Sequence, residues 1–421
     1  MIKAIERKLV VGLDIGTTNI AVLVGDILPD GIVINIIGVG SCPSRGMDKC
    51  GVNDLEAVVK CVHRAIDQAE LMADCKISSV YLALSGKQIT CQNEIGIVPI
   101  LDEEVTEEDV ENVVHTAQSV RVSDEQRILH VIPQDYDIDF QEGIKNPVGL
   151  SGVRIKAKVH IITYHHDMAK NLIKVVKNCG LRVDKLIFSG LASSYAVLTE
   201  HERELGVCLV DIGGTTMDIV VYTDGALRHT KVIPYAGNTV TSDIAYALST
   251  QPIDAEYIKM RYGCAYSTIV SKEETLEVSI GGHYLHKLQR KKLSEVIESR
   301  YIELLHLVKH DICKLQEKLC KQGVKHHISA GIVLTGGAAK IDGLLYCAQQ
   351  VFNTQVRIGQ PLNITGLMDY AQEPDYATAV GLLHYGKEYR MNSSNNNITT
   401  NKNTLVSTWW KRISCWLRKE F

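Results

Sequence analysis

Tryptophan is missing from the body of this 421-residue chain: all three, Trp409, Trp410 and Trp416, lie near its end, where folded domains usually fray. No stretch reaches the roughly 18 continuous apolar residues of a membrane-spanning helix. Twelve cysteines are scattered without one C-x-x-C pair, so neither a zinc site nor a disulfide framework is expected. The opening MIKAIERKLVVGLDIG passes from charged residues straight into a strand-like run with no cleavable leader pattern, which predicts a chain kept in a reducing cytoplasm. Basic residues are not in excess (net charge −4), and the body has no interleaving of aromatic with basic residues, so no nucleic-acid partner is expected. What is present is 45% hydrophobic residues, ample for two or more packed cores.

Two segments resemble each other, VVGLDIGTTNIAVLVGDILPDGIVINIIGVG (10–40) and VCLVDIGGTTMDIVVYTDGALRHTKVIPYAG (207–237). Each predicts strand, Asp-Ile-Gly turn, strand, Asp-Gly turn, strand, and helical patterns follow at about 53–72, 238–250 and 294–321. The last carries Ile297, Leu304, Leu305, Val308, Ile312, Leu315 and Leu319 near helical spacing. Strands alternating with helices predict an α/β class with two related halves. Residues 85–162 differ: a helix near 106–119, opened by Thr106 with Asp109 three residues on, accompanies strand-like runs, which predicts an inserted α+β subdomain. Residues 391–404, MNSSNNNITTNKNT, are polar and aperiodic, so the folded body is expected to end near Arg390.

The turn Asp14-Ile-Gly16-Thr17-Thr18 joins a glycine that lets backbone approach a ligand to N–H and hydroxyl donors for an anion. Asp14 can hold Mg²⁺ through its waters. Asp211, Gly213, Gly214, Thr215 and Thr216 repeat the arrangement, and a facing pair of such turns can clamp phosphates from both sides. A lone turn of this kind is ordinarily just a hairpin; the repetition is the signal. Gly336 and Gly337 follow an apolar strand and precede an expected helix, which suits a flat base and a phosphate, although alone the segment would be a plain strand-to-helix turn. Glu256 and Lys259, three apart, share one helical face.

In order and spacing these motifs resemble the actin-like ATPase superfamily: phosphate turn, connecting helix FSGLASSYAVL (188–198), second phosphate turn, adenosine Gly-Gly, closing helix PDYATAVGLLHYG (374–386). Within it the chain is most similar to the FtsA family of bacterial cell-division actins, through the insertion at 85–162, TGGAAKIDGL, IPYAGNTVTSDIA and the terminal WLRKEF. That resemblance implies an actin-like (ribonuclease H-like) duplicated α/β fold around a nucleotide cleft. It divides the chain into a first-half core (1–84, completed by about 163–198 and 366–390), the inserted subdomain, a second-half core (199–231 and 311–365) and a small subdomain (232–310). It also implies ATP and Mg²⁺ between the turns, with Asp14 and Asp211 flanking the ion, Gly336, Gly337 and Ala338 lining the adenosine pocket, and Glu256 and Lys259 on ribose and base. Where relatives place a Gln or Glu to orient the attacking water, this chain has Ser189, too short for the task, so tight binding with slow hydrolysis is expected. Implied partners are other copies in a filament, the C-terminal tail of FtsZ on the small subdomain, with Arg290, Lys291, Arg300 and Tyr301 as candidates, and later division proteins through 85–162.

On a helix at about 100° per residue, Leu405, Val406, Trp409, Trp410, Ile413, Trp416, Leu417 and Phe421 fall on less than half the wheel, with Lys411, Arg412, Arg418 and Lys419 opposite. Glu420 is the one intruder. Trp beside Lys and Arg predicts a helix lying in the interface of an anionic membrane, at its cytoplasmic face and, by the resemblance, at the division site. Residues 391–404 serve as its flexible tether. His165-His166 and His326-His327 are structural by expectation, since strand neighbours point to opposite faces. Other readings are a small-molecule kinase or phosphatase on the same fold, or a non-division scaffold such as a pilus-assembly adaptor.

Overall fold

A computed structural model describes residues 8–29, 31–48, 51–119, 122–280 and 284–395. Two sheets repeat one plan. The first has the strand order Arg182–Phe188, Ser79–Leu84, Leu9–Ile15, Asn19–Ile27, Ile34–Pro43, Ile364–Gly366. The second runs Val356–Ile358, Ile332–Thr335, Val207–Ile212, Met217–Thr223, Ala226–Ile233. In each, three strands joined by tight turns pair antiparallel, and the next two pair parallel through helical crossovers. Short turns permit only antiparallel neighbours, whereas a parallel return needs a helix-length connection, so the duplicated turn pattern dictates the duplicated topology.

Both sheets are covered on their faces. Helix Leu55–Ala73 is capped by the Asp54 carboxylate, which accepts from the Ala57 N–H at 3.1 Å, and buries Val58, Cys61, Val62, Ala65, Ile66 and Ala69. That spacing is the i, i+3, i+4 stripe of a helix packed on a core. The connecting helix Ser189–Val197, built of small and apolar residues, is buried nearly all round, because the C-terminal helix Ala377–Asn395 crosses it closely enough that a Cβ at Gly381 would collide with the Ala192 carbonyl oxygen. Ala377–Asn395 runs past the expected end at Arg390, five residues into the stretch predicted as tether. Once a helix is nucleated by packing, each added residue gains a hydrogen bond at little cost.

The inserted subdomain is an antiparallel sheet, in order Thr90–Pro99, Arg154–His165, Gln126–Ile138, Gln141–Ile144, covered by helix Glu107–Gln118. The Thr106–Asp109 capping box opens that helix as predicted. Its core, including Val113, Tyr136, Ile155, Val159 and Ile161, is separate from those of the two halves. The small subdomain interrupts the crossover after Ala226–Ile233 with helices Gly237–Ala247 and Pro252–Tyr262 and the pair Thr275–Ile280 and Tyr284–Gln289. It ends in helix Arg290–Lys321, one turn longer at its start than the apolar stripe alone predicts.

Candidate functional site

The two glycine turns end equivalent strands and meet. In the first, the Gly16 N–H donates to the Asn19 carbonyl at 3.1 Å; in the second, Gly213 N–H donates to the Thr216 carbonyl at 2.9 Å. The Thr215 hydroxyl donates to Thr17 Oγ1 at 3.1 Å across the gap, and a Cβ on Gly214 would overlap Thr18 Oγ1. The turns form facing walls of a cleft of about 760 Å³, within the range of small-molecule sites. Asp14, Gly16, Thr17, Thr18, Asp211, Gly213, Gly214, Thr215 and Thr216 all line it.

Asp14 and Asp211 sit on its floor. Burial pushes the Asp14 carboxyl up to about 7, and the neighbouring Asp211 pushes the same way. Asp211 is also raised by burial, against the opposing effect of the Ser193 hydroxyl and of Thr378 Oγ1, which donates to Oδ2 at 3.1 Å. The sequence reading missed a third acid. Asp218 is 4% exposed, lies directly across the hairpin from Asp211 and lines the cleft. Burial, then the charge of Asp211 and more weakly of Asp14, hold it well above the usual carboxylate range, although the Ser85 hydroxyl donates to Oδ1 at 2.7 Å. The signal was a second Asp seven residues after the first, flanking the turn; seeing that they face each other requires the register. The first turn has no equivalent, for Asp14 pairs with Ala21.

Three carboxyls raised by burial, two of them also by the charge of Asp211, form a floor that a cation would relieve. Among the described residues no group of three or more His, Cys, Asp or Glu is arranged to cage an ion directly. The donor set therefore fits a hard cation carried with its own waters and a polyanion, the group that the glycine N–H and threonine hydroxyl donors suit.

Gly336 has φ +89, and a Cβ there would strike Asp211 Oδ1. A Cβ on Gly337, by contrast, would meet nothing nearer than Asp375 Cβ at 3.6 Å. The helix expected next is instead a four-residue 3-10 turn, Gly337–Lys340; the α-helix starts only at Leu344, because Ile341 adopts an extended conformation. Lys259 and Glu256 pair at 2.7 Å; the lysine also donates to the Gly237 carbonyl at 3.2 Å and to Thr241 Oγ1 at 2.8 Å. Both reach the cleft beside Ala338. Ser189 opens the connecting helix on the cleft, 7% exposed, and that helix directs no carboxylate or amide side chain there.

One partner candidate is corrected. Tyr301 is 1% exposed and its hydroxyl donates to the Ala338 carbonyl at 2.8 Å, inside the cleft wall, so no docked peptide reaches it. Arg300 pairs with Asp243, with Nη2 to Oδ1 at 3.0 Å, and with Glu303; Arg290 pairs with Glu274 at 3.1 Å; Lys291 is partly exposed on the same helix. His165 ends a strand and His166 starts a helix, while the His326 and His327 rings lie 4.4 Å apart in a loop. The membrane candidates Leu405, Trp409, Trp410, Lys411, Arg412, Ile413, Trp416, Leu417, Arg418 and Phe421 lie outside the described residues. Among the described residues no helix is long and apolar enough to cross a membrane.

A family model described as cell division protein FtsA matches residues 208–381, and one described as an SHS2 domain inserted in FtsA matches 86–163. The chain is 72% identical over the full length of both proteins to cell division protein FtsA of Escherichia coli K12. It is 47% identical to that of Pseudomonas aeruginosa, over 90% of this chain and 89% of the other. Among solved structures, the PilM–PilN type IV pilus biogenesis complex matches with a TM-score of 0.64 at 16% identity, covering 90% of this chain and 98% of that one. MreB5 of Spiroplasma citri bound to AMPPNP matches at 0.53 and 15%, covering 93% and 100%. These last two establish an actin-like fold.

Proposed function

The chain belongs to the FtsA family of cell-division proteins, and from that membership we propose that it is a nucleotide-gripping adaptor that self-assembles and fastens the FtsZ ring to the cytoplasmic membrane. MgATP occupies the cleft. Asp14, Gly16, Thr17 and Thr18 hold the phosphates from one wall and Asp211, Gly213, Gly214, Thr215 and Thr216 from the other, with Asp14 and Asp211 facing the ion through its waters. Gly336, Gly337, Ala338, Glu256 and Lys259 hold the nucleoside. The bound ion and phosphates supply the charge that joins the two halves.

The observation that carries this reading is the meeting of the two turns, Thr17 against Thr215 at 3.1 Å, above half-buried Asp14 and buried Asp211. Beyond the cleft, the FtsZ tail docks on the small subdomain near Arg290, Lys291 and Arg300, later division proteins meet residues 85–162, and the helix 405–421 lies in anionic lipid. One such helix binds reversibly, so copies aligned in a filament hold the membrane through avidity. The test is equilibrium binding of MgATP to the full chain, with cosedimentation on anionic liposomes. Asp14→Asn and Asp211→Asn each weaken nucleotide binding, and deletion of 405–421 abolishes sedimentation. Undiminished MgATP affinity in both aspartate variants refutes the cleft assignment, and sedimentation that survives the deletion refutes the tail assignment.

A further inference from the structure

The inserted subdomain leaves and rejoins the chain within the first half, yet it is fastened to the second. Ser85, the first residue beyond strand Ser79–Leu84, donates to Asp218 on Met217–Thr223 at 2.7 Å. Farther out, side chains of the subdomain satisfy the backbone of the next strand, Ala226–Ile233, which forms the outer edge of the second sheet. Gln134 Nε2 donates to the Leu227 carbonyl at 2.6 Å, Asn93 Nδ2 to the Arg228 carbonyl at 3.1 Å, and the Cys91 thiol to the Thr230 carbonyl at 2.8 Å. His160 bridges Asn93 Oδ1 and Thr230 Oγ1 at 2.6 and 2.9 Å. At the centre Arg228 pairs with Asp135 at 2.6 Å, with side chains 6% and 7% exposed.

One hairpin therefore carries a cleft acid on its first strand and most of the fastening on its second, with Lys145 of the subdomain paired to Asp224 in the turn between them. The chain joins the subdomain to the first half, and these contacts join it to the second, so it bridges the two bodies that must separate when the cleft opens. Separation either carries the bridge along or undoes it, and undoing it bares a buried ion pair and takes the Gln134, Asn93 and Cys91 donors from three backbone carbonyls.

We propose that the inserted subdomain is a strap across the hinge, and that its detachment from strand Ala226–Ile233 sets the rate at which nucleotide leaves the cleft. The inference rests on the nucleotide reading above and adds its regulation. A ligand that pulls the subdomain away from this edge speeds exchange; one that presses it down slows exchange.

The test uses the full chain, Mg²⁺ and a fluorescent ATP analogue, with release followed by stopped flow after a chase of unlabelled ATP. Asp135→Asn is expected to speed release about tenfold and Gln134→Ala about threefold, in line with one charged and one neutral hydrogen bond lost. Affinity falls less than release rises, because entry is faster too. Val113→Ala, in the subdomain's own core and away from the strap contacts, lowers the melting temperature without changing release. Should Asp135→Asn fail to fold, Gln134→Ala and Asn93→Ala decide. Unchanged release in the folded variants overturns the strap, as does equal acceleration by Val113→Ala. Binding by the wild type with unaltered release in the variants sinks the strap alone, whereas no binding by the wild type removes the nucleotide reading and the strap together.

Discussion

With the Asp14 carboxyl pushed up to about 7, nucleotide affinity should depend on pH in a way that identifies this residue. A magnesium ion facing Asp14 through its waters favours the carboxylate, so binding below that pKa has to expel a proton. Each pH unit below it costs about 1.4 kcal/mol, and affinity for MgATP at pH 5.5 is about 30-fold weaker than at pH 8. The ligand titrates as well, so the diagnostic quantity is the ratio of wild type to Asp14→Asn: the variant keeps the ligand's own pH dependence and loses this one. Calorimetry in two buffers of different ionisation enthalpy counts the protons directly, about one released at pH 6 and none at pH 8. The stability of the empty protein follows the same group with the opposite benefit. Its folded pKa lies above the unfolded 3.8, so the native state holds more protons between there and about 7, and stability falls as pH rises through that window. Roughly three pKa units set an upper bound of about 4 kcal/mol, recovered by Asp14→Asn at pH 8 as a higher melting temperature. A wild-type affinity that tracks the variant's across pH 5.5 to 8 would show that the Asp14 carboxylate does not face the cation, and would refute the argument.

Three further outcomes are expected. Gly336→Ala forces a side chain into φ +89 and onto Asp211, a strain of about 1–3 kcal/mol before the clash, and MgATP titration should show at least a tenfold loss of affinity. Ser189→Glu extends a carboxylate from the connecting helix into the cleft and should raise phosphate release in a coupled assay; a wild type already turning over as fast as a metabolic kinase contradicts the slow-hydrolysis reading. Arg300→Glu places a negative charge opposite Asp243 and Glu303 and should abolish binding of an FtsZ C-terminal peptide by fluorescence anisotropy, whereas unchanged affinity removes Arg300 from the docking surface.

The parts of this molecule that were legible were those written locally and twice. Asp-Ile-Gly with threonines, repeated at 14–18 and 211–216, predicts both turns and, through them, both hairpins and the duplicated sheets. Asp218 escaped because its meaning depends on lying opposite Asp211 in a pairing register, and Ser85 because it becomes part of the cleft only when Met217–Thr223 arrives beside it. The Arg228–Asp135 pair, 93 residues apart, carries no local signature. Tyr301 was misread although its signal was present: Ile297, Tyr301, Leu304 and Val308 share one buried helical stripe, and the nearby basic residues drew attention to the other face. The overlong C-terminal helix shows the converse, for composition marks where packing stops but not where a helix already under way unwinds.

Asp218 has a consequence for ligand polarity. Two lobes built on one strand plan would, had they matched throughout, offer a linear ligand two equivalent poses, head to either lobe. The first lobe carries alanine where the second carries this aspartate. Together with Gly336–Ala338 and the Glu256–Lys259 pair, which also come from the second half alone, this unmatched carboxyl gives the cavity a north and a south, so that its two ends present a linear ligand with different chemistry.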